Sequence, residues 1–157
     1  MSSQGTVESP QVEFIRSFVR EFENKDVEKI ATFLHKDLRR VTYPRSLGRS
    51  DENRDQWQHR IDEIVGLWAS CTATYHSVLE APGGKVIVHI NLLSKTRFGV
   101  EMDREMLFIA HVVTDDDGSL KIKQFEEFVD SVAYREFYQA VHTAKANGLC
   151  AGSFAAA

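Results

Sequence analysis

KVIVHINLLSKTRFGVEMDREMLFIAHVVT, residues 85–114, is the stretch whose reading decides the fold. Side chains of an extended chain alternate between two faces. Val86, Val88, Ile90 and Leu92 therefore share one face, and Ile87, His89, Asn91 and Leu93 the other. The same alternation returns after Gly99, with Met106, Phe108, Ala110 and Val112 in one row and Glu105, Ile109 and His111 in the other. Two long strands joined at Gly99 read as an antiparallel hairpin, with His89 expected opposite Ile109.

Working outward, the strand pattern covers 72–80, 85–97, 101–114 and 119–129, broken by Pro82-Gly83-Gly84, Gly99 and Asp115-Asp116-Asp117-Gly118. Four strands with short turns predict an antiparallel meander. Upstream the period changes. Val12, Ile15, Phe18, Val19 and Phe22 fall at helical spacing, Val27 to Leu34 continue a second helix behind Asp26, and Leu38 to Tyr43 read as a strand stopped by Pro44. Trp57, Ile61, Ile64, Val65 and Trp68 form the stripe of a third helix, and a last one runs from Val132 to about Ala146 with Tyr134, Phe137, Tyr138 and Val141 on one face. Asp130 is placed to cap it, with Ser131. The expected organisation is a lead over 1–10, one domain over 11–146 and a flexible tail over 147–157.

The 157 residues, 43% hydrophobic, suit a single domain with a sizeable core. A net charge of −4 with both signs interspersed offers no basic stripe to a phosphate backbone, so nucleic acid is an unexpected partner. No apolar run approaches the roughly 20 residues of a bilayer span, and the start lacks the pattern of a secretory signal. The expected address is cytoplasmic, without membrane contact. Cys71 and Cys150 have no metal-ligand spacing and read as neither structural nor catalytic.

The order helix, helix, strand, helix, four strands, helix resembles the nuclear transport factor 2-like, or SnoaL-like, fold. The resemblance implies an α+β class: a cone-shaped barrel of a curved antiparallel sheet closed by three N-terminal helices, with a further C-terminal helix. Leu34-His35-Lys36-Asp37 with Tyr43-Pro44-Arg45-Ser46-Leu47-Gly48 resembles the passage from second to third helix in small fungal proteins of this type. Asp117-Gly118 through Lys121-Ile122, with Phe125-Glu126-Glu127-Phe128-Val129-Asp130-Ser131, resembles their last hairpin. The likeness covers about residues 10–142 and marks fold more than reaction, because isomerases, dehydratases, hydrolases, cyclases and binding proteins share it.

Limonene epoxide hydrolases of this superfold carry a basic residue and a carboxylate two apart on the long strand, and a second carboxylate on the last. The resemblance puts His89, Asn91 and Glu127 at these positions. Asn91 departs from the pattern: an amide orients water or donates a hydrogen bond but is no acid or base. Scytalone dehydratase, which combines histidines with an asparagine, is nearer in residue type. The implied chemistry is proton movement beside a carbonyl, elimination of water or ring closure in a polyketide- or terpenoid-like molecule, with no metal and no cofactor.

Around these candidate catalytic residues, Tyr43, Trp57, Trp68, Glu105, His111 and Phe125 are the expected substrate-binding set, and Tyr43, Arg104 or His111 could polarise a substrate oxygen. Glu127 could instead pair with Arg97, Arg104 or Lys123 across the sheet. His35, His59, His76 and His142 read as surface or helix-end residues. A sheet apolar on both faces must be covered on both, by helices on one and a second copy of the chain on the other. If the aliphatic face of the hairpin lines the cone, His89, Asn91 and Glu105 fall at that dimer interface. The alternatives to an enzyme are a non-catalytic small-molecule-binding or dimeric scaffold protein, or a transport adaptor.

Overall fold

The computed structural model describes residues 8–149. The elements are α1 (Pro10–Asn24), α2 (Val27–Thr32), β1 (Leu34–Tyr43), β2 (Glu52–Asn53), α3 (Arg54–Leu67), β3 (Trp68–Ala81), β4 (Lys85–Thr96), β5 (Glu101–Thr114), β6 (Leu120–Val129) and α4 (Ser131–Ala146). They form an α+β cone: one six-stranded sheet, in the order β2-β1-β6-β5-β4-β3, curves without closing around the N-terminal helices. β3 to β6 are the expected meander, but β1 joins β6 in parallel.

Local chemistry sets the helix ends. Ser9 accepts from the Val12 amide ahead of Pro10, whose missing N–H costs nothing in a first turn. Asn53 and Gln56 exchange bonds in a capping box at α3, and Asp130 accepts from Val132 and Ala133 at α4. Among the described residues no helix is long and apolar enough to cross a membrane.

Two boundaries move from their sequence-based places, each because a distant partner outweighs local periodicity. Leu34, expected at the end of α2, opens β1, where it lies beside Ile122 while the Ile122 amide donates to the Phe33 carbonyl at 2.8 Å. Trp68, expected in the α3 stripe, is the first residue of β3 and pairs with Thr96. β2 is too short to leave a period. The β4–β5 register is also tighter than expected, with His89 opposite Leu107 and Ile87 opposite Ile109. A shift of two preserves which residues share a face.

The aliphatic row faces inward. Val86, Val88, Ile90, Met106, Phe108, Ala110 and Ile122 are buried against Ile15, Phe18, Val19, Ile30, Ile61 and Val65 of the helices. Each such side chain contributes roughly 1.5–3 kcal/mol on leaving water, which makes this layer the main source of stability. α4 gathers a second cluster, Tyr134, Phe137, Tyr138 and Val141 with Met102 and Val129. The expected 147–157 tail lies mostly outside the described residues, as do Cys150 and most of the 1–10 lead.

Candidate active site

β6 turns Phe125 and Glu127 toward the helices because Ala110 and Phe108, their β5 neighbours, belong to the inward row. β1 runs parallel on the other side, with Arg40 beside Phe125 and Thr42 beside Glu127. β2 then sets Glu52 next to Arg40. Three charged residues from three strands are thus forced onto one inner surface, at exposures of 4% for Arg40, 7% for Glu52 and 4% for Glu127.

The Arg40 guanidinium divides its hydrogen bonds, one terminal nitrogen donating to Glu52 and the other to Glu127. Arg60 of α3 donates from Nε to the second Glu52 oxygen. Trp57 lies under Arg40, 5.5 Å from ring centroid to guanidinium carbon. Burial opposes the charge on Arg40, but Glu127 and Glu52 outweigh it and hold its pKa above the ordinary value. Burial likewise pushes the Glu52 carboxyl up, yet Arg40 and Arg60 together leave it lower than usual. The pairing offsets a desolvation cost that neither charge could meet alone.

Glu127 differs from Glu52 in one respect. Its Oε1 takes the Arg40 bond and a long one from the Thr42 hydroxyl at 3.5 Å, while its Oε2 accepts no hydrogen bond among the described residues. The carboxyl borders a cavity of about 70 Å³ lined by Phe18, Phe22, Trp57, Ile61, Ile64, Trp68, Ile90, Leu92, Met106, Phe108 and Phe125, with Arg40, Arg60 and Arg104 as its other polar walls. A carboxyl with one oxygen unbonded therefore borders a mostly apolar cavity.

Of the residues expected from the sequence, Glu127, Trp57, Trp68, Phe125 and Arg104 line this cavity. His89, Asn91, Tyr43, Glu105 and His111 do not, because β4 to β6 and β1 turn them to the outer face of the sheet. There His89 Nε2 meets Glu105 at 2.6 Å, and His76 donates to the Asn91 amide oxygen at 2.7 Å. The Asn91 amide nitrogen donates to Asp103 at 2.8 Å, and the His76 and His89 rings lie 4.5 Å apart. Tyr43 stacks on Phe128 at 4.6 Å, with its hydroxyl 3.5 Å from Glu126. Glu127 pairs with Arg40, not with the anticipated Arg97, Arg104 or Lys123.

His35 is also buried, on β1, where its Nδ1 accepts from the Asp37 amide at 3.0 Å, in place of the expected surface setting. Arg40, Glu52 and Arg60 had no place among the sequence candidates. Alternation in β1 does carry a signal, since Leu38, Arg40 and Thr42 share a face that an inward Leu38 would bury.

Solved structures align with this arrangement over most of their length. AusH from Aspergillus nidulans is 20% identical, with 77% of this chain and 84% of that one covered at a TM-score of 0.66. The BvnE pinacolase from Penicillium brevicompactum is 14% identical, with coverages of 86% and 96% and a TM-score of 0.72. The fold is the nuclear transport factor 2-like cone. IdmH from Streptomyces antibioticus, described as a candidate polyketide cyclase, has the same cone at 16% identity, coverages of 83% and 99% and a TM-score of 0.63. No protein-family model and no curated relative matches the chain. At these identities the likeness carries the fold, and the reaction must be argued from the cone's own residues.

Proposed function

We propose that the protein is a cofactor-independent acid–base enzyme of isomerase, dehydratase or cyclase type that acts on a small apolar, polyketide- or terpenoid-like molecule in the cone. One observation carries the reading: Glu127 is 4% exposed, yet it borders the cavity with Oε2 unbonded. A carboxylate so placed takes a proton from a carbon or hydroxyl of the bound molecule and returns it elsewhere as the acid. Arg40 fixes its orientation through Oε1. The apolar walls exclude water and favour a hydrophobic substrate. The pinacolase and the candidate cyclase among the fold's solved members support small-molecule chemistry of this kind.

The test is turnover of a panel of cyclic ketones and β-hydroxy ketones, followed by mass spectrometry and deuterium exchange. Glu127→Gln keeps the shape and removes the base, so a loss of about a hundredfold or more is expected. Unchanged rates in that variant overturn the proposal.

A second reading, a binding protein without catalysis, is favoured by the small cavity and the closed pairing of Arg40, Glu52 and Arg60. It predicts ligand binding by the wild type with no turnover of any ligand.

The reading extends to assembly: a second copy covers the outer sheet face, where Leu79, Leu93, Leu107 and Phe128 stand exposed.

A further inference from the structure

Arg104 sits on β5 opposite Leu92, across the cavity wall from the charged network. Among the described residues it makes no ion pair and no hydrogen bond, and its Nε is buried without an acceptor. The Trp68 indole N–H, on a residue 4% exposed that lines the same cavity, also lacks an acceptor. Ser94, opposite Met102 in the next inward pair of the β4–β5 ladder, buries a third polar atom, Oγ, with no partner. Buried donors are almost always satisfied, and each orphan costs on the order of 1–3 kcal/mol. Orphans gathered at one end of an inner sheet face are a prepared surface.

The charge count points the same way. Glu52 and Glu127 are taken up by Arg40 and Arg60. Arg104 is the cation left over. Cys71, in electrostatic range of both Arg104 and Glu23, is no counterion, because burial pushes the thiol up to about 11 and keeps it neutral, and the Glu23 carboxylate makes no ion pair with Arg104 and accepts from the Ala73 amide at 2.8 Å.

We propose that Arg104 and Trp68 form an anion subsite inside the cone, and that the natural ligand is an acidic molecule bearing a carboxylate or enolate oxygen. This rests on the reading of the cone as a ligand pocket and adds the substrate's charge. The guanidinium supplies the countercharge and the indole N–H a directed bond. The molecule's apolar body then lies against Met106, Phe108 and Phe125, toward Glu127. Arg104 is a binding residue in this scheme and transfers no proton.

The experiment compares benzoate with benzamide, which match in shape and differ in charge at neutral pH. Calorimetry on the wild type is expected to show benzoate binding about tenfold more tightly. Benzoate should also shift the Trp68 indole peak in a proton–nitrogen correlation spectrum, assigned with Trp68→Phe. Arg104→Gln is expected to erase the preference by weakening benzoate more than benzamide, while Arg104→Lys keeps part of it. Equal binding of the two by the wild type, or a preference that survives in Arg104→Gln, overturns the subsite but leaves the pocket reading standing. Failure of both compounds to bind overturns the subsite together with the pocket.

Discussion

Arg40 on β1 and Glu127 on β6 lie 87 residues apart in sequence and meet through one guanidinium nitrogen on the inner face of the sheet. The parallel β1–β6 pairing makes this possible, because it sets Arg40 and Thr42 beside Phe125 and Glu127. Removing the cation leaves two carboxylates in an apolar layer. Arg40→Met is expected to lose about 3–5 kcal/mol of unfolding free energy, measured by urea denaturation. Adding Glu127→Gln and Glu52→Gln should return most of that loss. A single variant as stable as the wild type would show the network to be energetically idle.

Acid should act through Glu52. Its folded-state pKa is lowered, with burial opposing and Arg40 and Arg60 prevailing. A depressed carboxyl contributes stability above its unfolded value of about 4.3, and the contribution fades as pH falls through the folded value. Unfolding free energy followed downward from about pH 6 should therefore fall less steeply in Glu52→Gln than in the wild type. Parallel acid limbs would mean that Glu52 takes no part in acid unfolding.

Gly84 holds the β3–β4 turn against β5. Its φ is +75°, its carbonyl accepts from the Val112 amide at 2.8 Å, and a Cβ there would stand 2.4 Å from the Val112 oxygen. Gly84→Ala combines a left-handed backbone with that clash. A loss of about 1–3 kcal/mol is expected, read as a drop in Tm. Gly83, also at positive φ, has open space around its would-be Cβ and should lose less on the same substitution.

The outer face gives a prediction on assembly. Leu93 and Phe128 are each 48% exposed on the outer sheet face, Phe128 beside Leu107 and Leu93 opposite Asp103. If a second copy covers them, light scattering shows a dimer for the wild type and a monomer for the pair Leu93→Asp and Leu107→Asp, with the circular dichroism spectrum unchanged. A monomeric wild type at micromolar concentration removes the dimer from consideration.

The outline was legible because periodicity is local. The hairpin of β4 and β5, the α1 and α3 stripes and the Asp130 cap all follow from neighbours in the chain. The site was only half legible, since a strand pattern sorts residues into two faces without saying which is concave. His89 and Asn91 were grouped correctly with Glu105, and Trp57, Phe125 and Glu127 meet in the cavity. Arg40 meets Glu52 through a two-residue β2 too short to leave a period, and meets Glu127 through the parallel β1–β6 ladder, 87 residues away in sequence.

That ambiguity of faces can be settled by activity. The resemblance to epoxide hydrolases shares the acid and base duties between His89 and Glu127, with Asn91 as an orienting amide, whereas the structure sets Glu127 with Arg40 on the cavity side and His89 and Asn91 on the other face. His89 and Asn91 are bonded to Glu105, His76 and Asp103 on the outer face, away from the cavity walls. His89→Ala and Asn91→Ala should therefore keep turnover within about threefold of the wild type, while Glu127→Gln falls by about a hundredfold or more. The pH profile sharpens the contrast. An inflection unchanged by His89→Ala and lost in Glu127→Gln places the working group inside the cone. The opposite pattern returns the chemistry to the outer face and to the residues first suggested by the sequence.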